Sequence, residues 1–230
     1  MIQLVNHVVH IAVAMVLLKI GGIPVLEIFL FVNPIGIECL SAERSTLKAI
    51  EDYPDTIHFS FIPLVNLKVI KRYMALKHID PADLAAQNEI NRIAYSVALD
   101  FKAASFQGTK KAREFLLFMQ SAINEHDREY TPDLIEEGLR EAGLDSAMFW
   151  EDRHSTYVKS GYEKDLAAAT RMGVEIAPSM VLFDYSKDID HAGLLVAGCT
   201  NENIIRGLFS HAGDLHTTKE IQSRRHFHVL

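Results

Sequence analysis

Val25 to Val32 reads VLEIFLFV, a nearly continuous apolar and β-branched run. A strand with one face in water alternates polar and apolar residues, whereas a strand covered on both faces does not. The run therefore predicts a central strand of a parallel sheet. Asn33-Pro34 ends it. Cys39 to Ile50 then carries Leu40, Leu47 and Ile50 at helical spacing, and Pro54-Asp55 marks a turn. Ile57 to Ile62 (IHFSFI) alternates polar and apolar until Pro63 stops it. Strand, helix and strand within roughly forty residues predict a βαβ unit with a right-handed crossover.

The middle of the chain has another character. From Leu64 to about Trp150 no convincing strand appears. Asp80-Pro81 reads as a helix start, with Asp80 as N-cap and Pro81 at the first helical position. That helix is expected to run to Gly108 with Leu84, Ile90, Val97, Phe101 and Ala104 inward. Lys110 to His126 is a second, carrying Phe115, Leu116, Phe118, Met119 and Ile123. Thr131-Pro132-Asp133 starts a third, which Gly143 ends, and Asp145 caps a short fourth with Phe149 and Trp150. Beyond it, Thr156 to Met172 is helical and stops at Gly173. Met180 to Asp184 (MVLFD) and Gly193 to Ala197 (GLLVA) are strands, and the Tyr185–Ala192 linker is short enough to make them an antiparallel hairpin. Asn201 to Phe209 is a last helix. The division expected is an extension at 1–24, an α/β domain from 25–63 and 151–210, an inserted helical subdomain at 64–150, and a polar tail at 211–230.

Composition excludes several functions. The chain has 230 residues, 49% hydrophobic and 23% charged, enough to bury a sizeable core. Its net charge of −7 offers no electrostatic footprint for nucleic acid. Two cysteines, Cys39 and Cys199, rule out a disulfide scaffold and a four-cysteine zinc site. The eleven histidines include no HExxH, and those of the tail (His211, His216, His226, His228) match no finger or ribbon, so no metal is expected. No Ser-His-Asp spacing or paired-carboxylate signature stands out, and Gly21-Gly22 and Gly36 do not make a phosphate loop. Val8 to Leu18 is apolar apart from His10 but shorter than the ~20 residues of a bilayer span. No Lys or Arg precedes it, and almost no apolar core precedes the Ala12-Val13-Ala14 triplet, so a secretory signal is not expected either. An accessory strand or helix, a dispensable extension, or a start at Met15 are the readings left. Lys68, Lys71, Arg72 and Lys77 read as a solvated face, and Trp150, near Phe149 and Tyr157, as core joining the helical insert to the sheet.

Local sequences make the reading specific. Phe31-Val32-Asn33-Pro34-Ile35-Gly36-Ile37-Glu38-Cys39 resembles the strand-to-helix elbow of thioredoxin-fold proteins, where a CxxC motif opens the helix. Gly173-Val174-Glu175-Ile176-Ala177-Pro178-Ser179 is similar to that family's segment whose proline is cis and faces the CxxC, and Gly198 matches the glycine ending its last strand. The helical insert makes the chain most similar to the DsbA-like branch. The NPxGxEC elbow and VLEIFLF resemble a Firmicutes group of predicted dithiol-disulfide isomerases. That group includes the YjbH/SpxH adaptors, which bind the transcription regulator Spx and promote its degradation by the ClpXP protease. The resemblance spans Leu26 to Phe209. It implies an α/β, thioredoxin-like (DsbA-like) fold with an inserted α-helical subdomain, a cytoplasmic location, an Spx-like regulator and ClpXP as partners, and no cofactor.

In a CxxC motif the first cysteine sits at the helix N-terminus, where unpaired N–H groups and the helix dipole favour the attacking thiolate. The second resolves the mixed disulfide. Here the first position is Gly36 and the second Cys39, so the ordinary dithiol cycle is lost. Cys39 has three readings: a buried small apolar residue, a monothiol that forms mixed disulfides or senses oxidants, or a partner of Cys199, which needs Cα atoms within ~7 Å. Reduced thiols are expected. Pro178 is expected to be cis from its context, the alternative being a trans proline at a strand start. Ala177-Pro178 would then keep a backbone platform for an extended peptide. Glu38 either tunes Cys39 or stabilises the first helical turn. The candidate site is thus Cys39 for any catalysis and Pro34, Gly36, Glu38, Ala177, Pro178 and Gly198 for binding. The leading function is the ClpXP adaptor. The alternative is a thiol-disulfide oxidoreductase or isomerase acting through Cys39 alone. A glutathione-dependent transferase of the kappa-like branch ranks last, because that branch places a hydroxyl at the elbow and Gly36 supplies none.

Overall fold

A computed structural model describes residues 26–51, 57–184 and 193–211. The extension with Val8–Leu18, the Pro54-Asp55 turn, the Tyr185–Ala192 linker and the tail histidines beyond His211 lie outside the described residues. The strands are β1 (Leu26–Val32), β2 (Ile57–Pro63), β3 (Ser179–Asp184) and β4 (Leu194–Ala197). They form one sheet in the order β2-β1-β3-β4. β1 is central, and Ile28, Leu30, Phe31 and Val32 have no exposed surface, which is why its sequence lacks alternation.

The sheet is mixed rather than parallel. β1 runs parallel to β2 but antiparallel to β3, which is antiparallel to β4 as the short linker implied. β2 leaves the sheet where Pro63 pairs with Val32. The helices that follow return the chain to the same end, where Ser179 pairs with Phe31, so β3 has to run back along β1.

The described helices are α1 (Ile37–Ile50), α2 (Leu67–Leu76), α3 (Leu84–Ser105), α4 (Thr109–Glu125), α5 (Pro132–Glu141), α6 (Ser146–Arg153), α7 (Thr156–Arg171) and α8 (Glu202–His211). The basic stretch lies on α2, whose other face buries Val69, Ile70, Tyr73 and Met74. The expected caps of α5 and α6 are present: Thr131 Oγ1 accepts from the Leu134 N–H at 3.3 Å and Asp145 Oδ1 from the Met148 N–H at 2.8 Å.

The start of α3 departs from expectation. Asp80 does not cap it; its carboxylate accepts from the Ala82 N–H at 2.8 Å and its carbonyl from the Asp83 N–H at 3.0 Å. Asp80-Pro81-Ala82-Asp83 is therefore a turn with proline at its second position. Asp83 is the N-cap, accepting from the Ala86 N–H at 2.9 Å. Leu84, expected inward, stands 66% exposed at the first helical position. Two acids three residues apart both offer a cap, and the one adjoining the periodic apolar positions wins.

Phe149 is fully buried and its ring lies 5.8 Å from that of Phe115, so this residue ties α6 to α4. Trp150 is half-buried and packs against the core. Its ring packs edge-on to Phe149 and stacks on His154, while its Nε1–H donates to Glu136 Oε1 at 2.6 Å. Tyr157 is 77% exposed, because the break at Ser155 turns Val158 inward in its place. Beneath them Asp100 is buried against Arg153 and accepts from the Tyr130 hydroxyl at 2.6 Å. No helix among the described residues is long and apolar enough to cross a membrane.

Candidate functional site

β1 ends in a tight turn. The Gly36 N–H donates to the Asn33 carbonyl at 2.9 Å, and the Asn33 side chain accepts from the Ile35 N–H at 3.2 Å. Asparagine is suited to this role because its side-chain carbonyl copies a backbone turn two residues on. The turn hands the chain to α1, whose first bond is Leu40 N–H to Gly36 carbonyl at 3.0 Å. Gly36 is therefore the N-cap, with φ −88° and ψ 128° and no side chain to cap with. Cys39 sits in the first turn of α1, and its Sγ accepts from the Asn33 N–H at 3.1 Å.

The other half of the site enters β3. Gly173 closes α7 with φ +69°, a conformation that costs an L residue its Cβ clearance. The Gly173 N–H bonds the Thr170 carbonyl at 3.2 Å and the Val174 N–H the Ala169 carbonyl at 2.9 Å. The Ala177–Pro178 peptide is cis, as its context led one to expect. Because Phe31 pairs with Ser179, this loop and the elbow leave the sheet at the same end. Gly198 closes the arrangement, its N–H donating to the Pro178 carbonyl at 2.7 Å. The backbone N–H and carbonyl of Ala177 make no hydrogen bond among the described residues.

A rim of charge surrounds this end. Arg72 Nε lies 2.7 Å from Glu38 Oε2, so Glu38 links α1 to α2. Lys68 pairs with Glu175, and the Asn66 side chain donates to the Glu175 carbonyl at 3.0 Å, which fastens the start of α2 to the cis-proline loop. Of the candidate residues, Pro34, Gly36, Cys39, Ala177 and Pro178 are buried, Glu38 is half-buried and Gly198 is exposed.

The thiol chemistry is decided by burial. Cys39 and Cys199 are both free and each 1% exposed. Burial pushes the Cys39 thiol well above its ordinary pKa, the neighbouring carboxyl of Glu43 adds to this, and the Asn33 N–H opposes it only in part. Burial likewise pushes Cys199 up to about 12. At neutral pH both are thiols, and neither is an attacking thiolate.

Residues that the sequence reading passed over carry much of the site. Glu43 is fully buried one turn after Cys39, and burial pushes its carboxyl up to about 8 against a partial offset from Gln120. Gln120 and Asn124 of α4 reach across to the elbow. The apolar positions of α1 point to Glu43, since Cys39, Ala42, Thr46 and Ile50 place residue 43 on the buried face. Gln120 shares the inward face of Leu116 and Met119 in the same way. Among the described residues no group of three His, Cys, Asp or Glu side chains is placed to hold a metal ion.

Comparison with known proteins agrees with this geometry. The ClpXP adapter protein SpxH of Staphylococcus haemolyticus is 30% identical over 173 residues, covering 75% of this chain and 60% of that protein. Its counterpart from Staphylococcus aureus is 28% identical over 181 residues, covering 79% of this chain and 64% of that protein. The chain thus spans about three-fifths of the length of these curated relatives. Among solved structures, Pseudomonas aeruginosa DsbA superposes with a TM-score of 0.54 at 18% identity, over 90% of this chain and 89% of that one. The cytosolic disulfide reductase DsbM of the same organism gives 0.55 at 12% identity, over 82% and 99%. The family described as Thioredoxin matches residues 29–207, which take in the elbow, the cis-proline loop and all the helices between them. The chain belongs to the thioredoxin family, and its fold is the DsbA-like form of it.

Proposed function

We propose that this chain is a cytoplasmic adaptor that binds an Spx-like regulator and promotes its degradation by ClpXP, with dithiol chemistry lost. The observation that carries the reading is Gly36 at the nucleophile position beside Cys39, a buried thiol, on an otherwise complete thioredoxin elbow. An oxidoreductase acting through Cys39 alone would need an exposed thiolate, and burial works against both requirements. The likeness to proteins named ClpXP adapter protein SpxH supports the same conclusion.

The binding face is the end of the sheet where Pro34, Gly36 and Glu38 meet Ala177, Pro178 and Gly198. The Ala177 backbone, free of hydrogen bonds among the described residues, is suited to an extended segment of the partner. The Lys68–Glu175 and Arg72–Glu38 pairs border that face and give it charged groups of both signs. In this arrangement residues 64–150 are an inserted helical unit that walls one side of the face. Purified protein is expected to accelerate degradation of an Spx-like regulator by ClpXP, and Cys39→Ala to accelerate it equally. Absence of acceleration by the wild-type chain overturns the adaptor reading; insulin reduction lost in Cys39→Ser would restore the enzyme in its place.

A further inference from the structure

The elbow is held from outside itself. Gln120 has no exposed surface, and its amide N–H groups donate to the Asn33 carbonyl at 3.1 Å and to Glu43 Oε1 at 2.9 Å. One turn later on α4, the Asn124 amide donates to the Ile35 carbonyl at 2.9 Å and to the Gln120 carbonyl at 2.9 Å. Its Oδ1 faces the Tyr73 hydroxyl of α2 at 3.4 Å. The carbonyls on either side of Pro34 are thus both fixed by side chains of a helix distant in sequence. The Asn33 N–H, on the same turn, is committed to Cys39 Sγ.

Glu43 lies inside this network with one oxygen unsatisfied. Its Oε2 has no hydrogen-bond partner among the described residues, nor do Gln120 Oε1 and Thr46 Oγ1. A neutral carboxylic acid keeps Oε1 as an acceptor and carries its proton on the other oxygen. A carboxylate there would be a buried charge with Gln120 as its one donor, which the surroundings oppose. The groups facing it do little to offset that charge. Cys39 precedes it on α1 as a neutral thiol, and Glu38 near that thiol is committed to Arg72 of α2. Arg44, its neighbour, is turned outward to the bidentate pair with Glu125 of α4. From α8, Glu202 and Arg206 are engaged with each other and with Lys48 at the far end of α1.

We propose that Gln120 and Asn124 form a latch between α4 and the elbow, and that the proton on Glu43 keeps this latch closed. The proposal rests on the elbow being the partner-binding face, and it supplies the regulation of that face. Closed, the latch holds the Asn33 and Ile35 carbonyls and buries Cys39. Opening it admits water to Glu43, which then ionises at its ordinary value near 4.5 rather than at about 8. The closed form therefore binds the proton more tightly, and opening releases it. Between those two values the opening constant rises tenfold per pH unit, and above about 8 it levels off.

The test reads Cys39 as the reporter, in a Cys199→Ala background. Its rate of modification by a small aromatic disulfide is divided by that of a model thiol at each pH. From pH 5.5 to 7.5 the ratio is expected to rise about hundredfold in the parent protein, and to stay flat within about threefold in Glu43→Gln. Asn124→Ala, which spares Glu43, is expected to raise the ratio about fivefold at every pH with the slope unchanged. Equal slopes with and without the Glu43 carboxyl overturn the proposal. So does a ratio that equals the global unfolding constant, measured by urea denaturation, at every pH, because the elbow then does not open by itself. Neither readout involves a partner, so failed delivery to ClpXP with an intact pH response would remove the adaptor reading and leave the latch standing.

Discussion

Gly36→Cys tests whether the elbow retains the frame of a dithiol site. A Cβ at position 36 would stand 3.1 Å from Cys39 Sγ, 3.0 Å from Asn33 Cβ and 3.3 Å from the Asn33 carbonyl oxygen. The first of these contacts is not a clash for a cysteine. With an S–S bond near 2.04 Å, the Cβ of one half-cystine and the sulfur of the other stand about 3 Å apart. The backbone at 36, φ −88° and ψ 128°, suits any L residue. The contacts with Asn33 are real crowding, and a few tenths of an ångström of adjustment should cost about 1–2 kcal/mol. Closing a four-residue loop offsets this by about 2 kcal/mol on chain entropy. The oxidised variant is therefore expected to be about as stable as wild type, and its reduced form about 2 kcal/mol less stable than the oxidised one. The assay is mass measurement after glutathione oxidation in a Cys199→Ala background, followed by urea denaturation of both redox forms, with Gly36→Ala as the steric control. A persistent glutathione adduct with no two-dalton loss would show that positions 36 and 39 do not keep a dithiol frame. So would an oxidised form less stable than the reduced one.

Other substitutions bear on single steps of the argument. Glu43 has its folded-state pKa raised to about 8 from 4.5, so its contribution to stability is complete below pH 4.5 and lost as pH rises to about 8. That loss reaches up to about 5 kcal/mol, and Glu43→Gln is expected to flatten the pH profile of urea denaturation over this range; an unchanged profile counts against a buried neutral acid. Arg153→Ala strands the Asp100 carboxylate in the core and is expected to cost about 3–5 kcal/mol, with Arg153→Lys recovering part of it; a loss under 1 kcal/mol in thermal or urea unfolding would deny the pair its buried character. Asp83→Ala should cost about 1 kcal/mol and Asp80→Ala distinctly less, measured the same way; the reverse order would return the cap of α3 to Asp80.

The legible parts of this molecule are those decided within a few residues. The double-sided burial of β1, the Thr131 and Asp145 caps and the elbow from Asn33 to Cys39 are set by neighbours in the chain. Asp80 against Asp83 was a contest between equal local signals, settled by where the apolar face of α3 begins. The mixed sheet was not legible from VLEIFLFV, because an apolar run records coverage on both faces and not the direction of the strands beside it. Glu43, Gln120 and Asn124 belong to a third class. Each sits where helical periodicity expects an apolar residue, so each is visible as an exception, but their partners come from elements 77 and 89 residues away.

The same division decides the thiol. Position at a helix N-terminus is a local property, and it favours the Cys39 thiolate by about 0.3–1 kcal/mol. Burial is a property of the whole packing, and it can raise a thiol by several pKa units, each about 1.4 kcal/mol. The larger effect wins, with the Glu43 carboxyl working in the same direction. A thioredoxin elbow with Gly at position 36 therefore does not fall back on Cys39 as a weaker nucleophile. The second thiol is protonated and packed beneath the turn, and what remains is the shape of the elbow beside an Ala177 backbone that makes no hydrogen bond among the described residues. A buried acid and two amides from α4, rather than the sulfur, hold this elbow in place, so on the proposed function theirs is the loss that should change what this end of the sheet binds.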